Sequence, residues 1–415
     1  MSKRLTRLCL LSLLLPGLLC GCWSKREIEE SGFASMLALD LTEGGEIEVA
    51  VQMEITEAFG GEGGTSTAPE EPVWIITAKG KSLAEALDRL LRYSGRRPFW
   101  AHMEAIIFGE GLARDGIAQA CEYLLRNRQV RLETRVLVAE GKAKDILAVK
   151  PTITTIPARY LRQLINVSRE TSVSLPRSLI DVMRSLVGDP GDQLFLPLIK
   201  LKPKEEEEGT QGGGGAEGGN GGGGQDEGEG QKQEAEAMIL EGTAIFLGDK
   251  MVAKLNDLET RGLLWLRGDT TRATINVEIP DEGYAVQYQT LGRRELRVKL
   301  EDDELQAQIS IFQEGDVAEH QLPAKTLDEA ELERLNRHLK DTIWREVSAT
   351  LNRLQELKTD VIGIGARTYR RYPAFYRQQN WPEFFSTLDI RLEIEADFRR
   401  PGETLGSPFS RPVSR

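Results

Sequence analysis

Histidine is scarce in this chain, and cysteine is absent from most of it. The 415 residues hold three histidines, His102, His320 and His338, and none lies within five residues of another. No pair therefore has the close spacing of a zinc or transition-metal site, and no metal is expected. The four cysteines are Cys9, Cys20, Cys22 and Cys121. Three of them fall at the extreme N-terminus, so Cys121 has no partner for an intrachain disulfide. It sits among Ile117, Ala118, Ala120, Leu124 and Leu125, the setting of a small core residue rather than a reactive thiol. Walker, Rossmann and Gly-x-Ser-x-Gly fingerprints are missing, so no catalytic residue and no cofactor is assigned. Basic excess is missing too. The net charge is −12, which argues against nucleic acid as a partner and against adhesion to anionic lipid through overall charge. Beyond Cys22 no apolar run is long enough to make a spanning helix.

What is present begins at the N-terminus. Lys3, Arg4 and Arg7 precede an almost wholly apolar stretch over residues 8–19, too short to span a bilayer and laid out as a secretory signal. It ends in Leu19-Cys20-Gly21-Cys22, with Leu at −3, a small residue at −1 and Cys at +1, the layout of a lipobox. The expected outcome is removal of residues 1–21 and lipidation of Cys22. Cys20 at −2 departs from the small residues usual there. The removed segment carries three positive charges and no acid, so the mature chain is more acidic still. Two or three acyl chains, each gaining about 0.8 kcal/mol per buried CH₂, would hold it on a membrane surface.

Residues 22–150 read as an N-terminal α+β domain. Ile47, Val49, Val51, Met53 and Ile55 alternate with polar or small residues, a strand with one buried face. Residues 73–77 form a second strand. Ser82, with Glu85 three positions on, opens an amphipathic helix carrying Leu83, Leu87, Leu90 and Leu91. Residues 100–108 read as a strand, 112–125 as a helix and 134–139 as a strand. This β-α-β-α-β order implies a sheet with helices on it. Residues 151–202 look different: two periodic helices, near 158–168 and 176–187, close on the strand 195–199 as a small helical subdomain.

Residues 203–236 are rich in Gly and Glu and cannot bury enough apolar surface to order themselves. They lack the Gly-Lys-Ser/Thr ending of a phosphate loop and the spacing of an EF-hand, so the expectation is a flexible linker. Residues 237–400 form a C-terminal α+β domain. Strands at 243–246, 251–252, 274–279, 284–289, 296–300 and 305–312 are followed by one long helix. Leu332, Leu335, Leu339, Ile343, Val347, Leu351 and Leu354 mark its buried stripe. A final strand alternates Leu388, Ile390, Leu392, Ile394, Ala396 and Phe398 with charged residues. The fold class is thus multidomain α+β: an N-terminal sheet with helices, then a mainly antiparallel sheet on one long helix. Residues 401–415 read as a disordered tail.

Few positions single themselves out. Of Trp100 and His102, two apart in a strand, the first reads as core packing and the second as a histidine with its hydrogen bonds satisfied. The acidic groups Glu27, Glu29 and Glu30, and Asp302, Asp303 and Glu304, read as solvated faces or turns. Asp360 precedes Val361-Ile362-Gly363-Ile364-Gly365, where glycine permits a tight bend and the carboxylate can take loop amides. Tyr369, Tyr372, Phe375, Tyr376 and Trp381 are interleaved with Arg367, Arg370, Arg371 and Arg377. Arginine and aromatics are enriched at interface hot spots, so Arg370, Arg371, Tyr372 and Trp381 are the candidate partner contacts.

Four stretches carry a resemblance: residues 21–29 after the lipobox, residues 99–110 with 112–117, residues 241–246 with 258–266, and Thr359-Asp360-Val361-Ile362-Gly363-Ile364-Gly365 followed by Tyr372-Pro373 and Trp381. In this order they resemble the Ger(x)C family, the lipoprotein C subunits of spore nutrient-germinant receptors. Two departures stand out. Residues 203–235 are an insertion relative to the family's shorter link, and Ser24 stands where Asp is common. The resemblance implies a three-domain α+β protein on the outer face of the inner spore membrane, non-enzymatic, with multi-span A and B subunits as partners. No ligand pocket is carried over, because the nutrient is thought to bind the membrane subunits. A solute-binding lipoprotein of a transporter would need two similar lobes, and an extracytoplasmic enzyme would need a nucleophile or metal constellation.

Overall fold

The computed structural model describes residues 31–55, 72–151, 154–188, 193–202, 237–270, 272–322 and 327–400. The signal 1–21, Cys22, the segment 203–236 and the tail 401–415 lie outside the described residues.

A ten-stranded sheet organises the N-terminal two-thirds. Its centre is four parallel strands, β1 (Ser31–Leu41), β5 (Ala105–Gly109), β6 (Arg135–Ala139) and β8 (Phe195–Lys202). The antiparallel strands β2 (Ile47–Glu54) and β3 (Val73–Gly80) extend one side. On the other side lie β9 (Ala237–Leu247) and β10 (Lys250–Leu255), and two short strands, β4 (Arg97–Phe99) and β7 (Arg177–Ser178), pair with β1 and β6. The central strands are covered on both faces. Ile106, Phe108, Val136 and Val138 pack under α1 (Leu83–Ser94), α2 (Glu110–Asp115), α3 (Ala118–Arg126) and α6 (Leu179–Val187). Ala105, Ile107, Leu137 and Ala139 pack under α4 (Ala143–Leu147) and α5 (Pro157–Thr171).

Several elements differ from the sequence expectation. β1 was not anticipated, because residues 34–40 are buried on both faces and so show no alternation. Trp100–His102 is a 3-10 turn rather than part of a strand. Trp100 is buried there, and the exposed His102 ring lies 5.9 Å from Phe33 and 5.7 Å from Phe99. The helix expected over 112–125 breaks at Gly116, whose φ of 137 side chains rarely adopt. The break admits Asp249 from the β9–β10 turn, which accepts from Ala118 N at 3.3 Å through its carboxylate. The helices expected as a small subdomain over 151–202, α5 and α6, instead cover opposite faces of the large sheet. The boundary expected at 237 falls inside that sheet, since β8 and β9 are antiparallel neighbours with Lys202 opposite Ala237. The Gly/Glu-rich segment thus joins two paired strands of one sheet.

The second sheet has four strands, β11 (Thr274–Ile279), β12 (Gly283–Glu301), β13 (Glu304–Gln321) and β14 (Ile390–Arg400). The first three are antiparallel, and β14 runs parallel to β13. β12 and β13 form one long hairpin. Asp302 and Asp303 turn it with φ of 48 and 63, the left-handed pair that matches strand twist in a two-residue turn. Helix α8 (Glu329–Glu356) lies on this sheet through Leu335, Leu339, Ile343, Val347, Leu351 and Leu354. The α+β class and the long helix agree with the sequence reading.

The two sheets share a seam. Phe195, Ile245, Ala253 and Leu255 of the large sheet join the core of the small one. Arg177 and Arg267 each place a guanidinium 4.6 Å from the centroid of the Phe195 ring. Helix α7 (Asp257–Arg267), opened by an Asn256/Glu259 capping box, bridges the sheets. It lies so close to α8 that a Cβ on Gly262 would stand 2.1 Å from Thr350 Oγ1. Arg261 meets Glu346 of α8 in a two-pronged ion pair beside this contact.

Candidate functional site

The stretch singled out in the sequence folds as a loop and three short helices, α9 (Ile364–Arg371), α10 (Pro373–Gln378) and α11 (Trp381–Thr387). Asp360 is its centre and is fully buried. Oδ1 accepts from Gly363 N at 2.9 Å and Ile364 N at 3.1 Å. Oδ2 accepts from Gly365 N and from Trp381 Nε1, the latter at 3.0 Å. An ionised carboxylate is acceptor-only, and four donors surround this one. Burial pushes its pKa up from the ordinary value while these donors pull it down. Two glycines make the arrangement feasible. Gly363 has φ of 82, and a Cβ on Gly365 would stand 2.4 Å from Trp381 Nε1. The carboxylate thus ties its own loop together, as the spacing implied.

The outer side of the loop is held by arginines that the sequence reading passed over. Arg294 donates to Ile362 O at 2.9 Å, and Arg267 donates to Val361 O. Burial, then the nearby Arg267 charge, lowers the Arg294 guanidinium to about 10. The only signal in the sequence was the Gly292-Arg293-Arg294 interruption within a strand pattern.

The aromatic side chains stack inward. Tyr376 lies 4.8 Å from Trp381, Trp381 lies 5.5 Å from Phe384, and Tyr369 lies 5.6 Å from Tyr376. Burial, then the Asp360 charge, pushes the Tyr376 phenol up to about 12. Trp381 is 4% exposed, so it belongs to the core and not to a contact surface. Tyr372 is half-buried against the same core. Arg370 and Arg371 are exposed. Arg371 lines an open groove of about 550 Å³ with Arg297, Lys299 and Arg391, and with Glu304 and Asp389. The four candidate contacts therefore divide: two arginines on the surface, one tyrosine beneath them, one tryptophan inside.

A second buried carboxylate was not singled out. Asp40, 5% exposed, lies in β1 and accepts from Ala143 N at 2.8 Å and Lys144 N at 2.9 Å at the start of α4. The signal was an acid inside an otherwise apolar run, which needs a partner to be buried. Cys121 is fully buried, and burial raises its thiol to about 12, which leaves it unreactive. Among the described residues no group of three or more His, Cys, Asp and Glu could hold a metal ion, and no helix is long and apolar enough to cross a membrane.

Comparison with known proteins agrees in both halves of the chain. Residues 24–201 match the family model described as spore germination protein N-terminal domain, and residues 241–402 match spore germination B3/GerAC like, C-terminal. YfkR of Bacillus subtilis (strain 168) is 26% identical over 392 residues, covering 92% of this chain and 94% of its own. Spore germination protein KC of the same organism is 24% identical, covering 96% and 97%. Among solved structures, that of the GerBC protein superposes with a TM-score of 0.54 at 17% identity, covering 90% of this chain and all of that one.

Proposed function

The chain belongs to the Ger(x)C family of spore germination proteins, and we propose that it is the lipid-anchored C subunit of a spore nutrient-germinant receptor. In this reading residues 1–21 are removed and Cys22 carries the lipid. The folded part sits on the outer face of the inner spore membrane and assembles with multi-span A and B subunits. Its role is assembly and interaction, not catalysis. The observation that carries the reading is the family match over both halves of the chain in order, with 92% and 96% of the chain aligned to relatives that are themselves covered to 94% and 97%. The unlike sheets, ten strands against four, also speak against the paired similar lobes of a solute-binding protein. The exposed Arg370 and Arg371 are the proposed contact with a membrane subunit, since their aromatic neighbours are packed into the core.

Detergent purification of the tagged protein from spore membranes, with mass spectrometry of what accompanies it, tests the assignment. Recovery of polytopic receptor subunits is the expected result. A transporter permease, or no stoichiometric partner, would replace it. The Cys22→Ala variant should leave the membrane fraction on washing with salt, whereas salt-resistant retention would refute the anchor. Arg370→Glu with Arg371→Glu should reduce recovery of the partners by tenfold or so, the loss of about 1.4 kcal/mol. Unchanged recovery would move the interface elsewhere.

A further inference from the structure

The acidity of the chain is not evenly spread. At the end of the large sheet from which the chain emerges at Ser31, residues 56–71, which join β2 to β3, carry four glutamates and no base, but the corner where α1 and α3 finish is basic. β4 pairs with the first residues of β1, placing Arg97 beside Ser31. The connection from α3 to β6 ends at Arg135, which pairs with Ala105 and so lies level with Met36. Helices α1 and α3 both finish at this end. Residues 91–97 and 125–135 together carry seven arginines and a single acid, Glu133.

Part of this charge has a local explanation. Arg92 and Arg126 lie in the last turns of α1 and α3, where a cation complements the helix dipole. They pair with Asp88 and Glu122 one turn back. Arg97, Arg128 and Arg131 have no such explanation. They are exposed, lie beyond the helices, and make no ion pair among the described residues. Large apolar and aromatic side chains share this end. Tyr93 at the close of α1 is 71% exposed and Leu132 is 37% exposed.

We propose that this corner of the ten-stranded sheet is a docking face for an anionic lipid surface, with Arg97, Arg128 and Arg131 meeting headgroups and Tyr93 and Leu132 at the interface. Arginine with an interfacial Tyr is a composition that suits a headgroup layer. The length of chain agrees. Nine peptide steps separate Cys22 from Ser31, at most roughly 30 Å at about 3.5 Å per residue. The inference rests on the reading of Cys22 as the anchor for its orientation, but not for its charge complementarity. The lipid would hold the protein to the bilayer, and this face would fix which side is turned down.

The test separates the two. Unlipidated chain 22–415 is sedimented with phosphatidylcholine vesicles containing phosphatidylglycerol, and with phosphatidylcholine alone. Binding to the anionic vesicles only, weakened by salt, is expected. The variant Arg97→Gln/Arg128→Gln/Arg131→Gln should lose affinity on the order of 100-fold, about fivefold per arginine. Arg370→Gln/Arg371→Gln should bind as the parent chain does. Equal recovery with both vesicle types, or undiminished binding by the triple variant, would overturn the proposal and leave the face to a protein partner. Loss of binding in the Arg370/Arg371 variant alone would overturn it in favour of the other basic patch. None of these results depends on lipidation, which release of Cys22→Ala from salt-washed membranes reads by itself.

Discussion

Asp40 and Asp360 are the same side chain, nearly or fully buried, in two regions built on different plans. Asp40 sits in a central strand of the large sheet and reaches across to Ala143 and Lys144, far along the chain, to hold α4 against it, one N–H per oxygen. Asp360 sits just after α8 and reaches no further than Trp381, taking two donors on each oxygen. The first fixes one element on another. The second shapes a loop from within, while Val361 and Ile362 bury their side chains in the core and commit their carbonyls to Arg267 and Arg294. A buried carboxylate is thus used twice as an amide receptor, and the number of donors per oxygen separates the two uses.

That difference sets the expected order of effects. In Asp360→Asn one oxygen becomes an NH₂ group facing two N–H donors. Each buried donor left without an acceptor costs about 1–3 kcal/mol, so the loss should be about 4 kcal/mol. In Asp40→Asn only one donor is lost, at about 1–3 kcal/mol. Urea unfolding read by tryptophan fluorescence compares them. Equal losses would break the distinction, by showing that donor count does not matter at these sites.

The sequence revealed the C-terminal region better than the N-terminal one, for a physical reason. The small sheet is covered by one long helix, so β14 alternates and α8 repeats every three or four residues, and both were legible. The central strands of the large sheet are buried on two faces, so β1 reads as a featureless apolar run. Gly116 hid a helix break that only the approach of Asp249 explains. The pairing of Lys202 with Ala237 could not be read across an insertion of low complexity. At the candidate site Asp360 and its glycines were legible because the motif is local. Arg267 and Arg294 were not, since they come from α7 and β12. Trp381 was misplaced because an aromatic among arginines looks the same whether it faces a partner or a neighbouring tyrosine. The charge of the Ser31 end was hidden by averaging over an acidic chain.

A third carboxylate sharpens the comparison, with the smallest effect. Asp257, the first residue of α7, is largely exposed and faces Glu241 of β9 at the seam, while Lys200 donates to Glu241 at 2.9 Å. Here a carboxyl meets a carboxyl in place of backbone amides. Partial burial, then the Glu241 carboxyl, pushes Asp257 up to about 6, and the hydrogen bond from Asp257, then Lys200, lowers Glu241. The folded protein therefore holds a proton at Asp257 that the unfolded chain, titrating near 4, has already released. Stability should fall as pH rises through that window, about 4 to 6, with nothing more lost above about 7. Glu241 acts in the opposite sense only at lower pH, below its ordinary range. Solvent at this exposed position keeps the effect under about 1 kcal/mol. Unfolding free energies from urea titrations at about pH 4 and about pH 7 should differ by that amount, and Asp257→Asn should flatten the difference. An undiminished slope in the variant would assign it to another group, and would leave amide-held and carboxyl-held aspartates indistinguishable in this molecule.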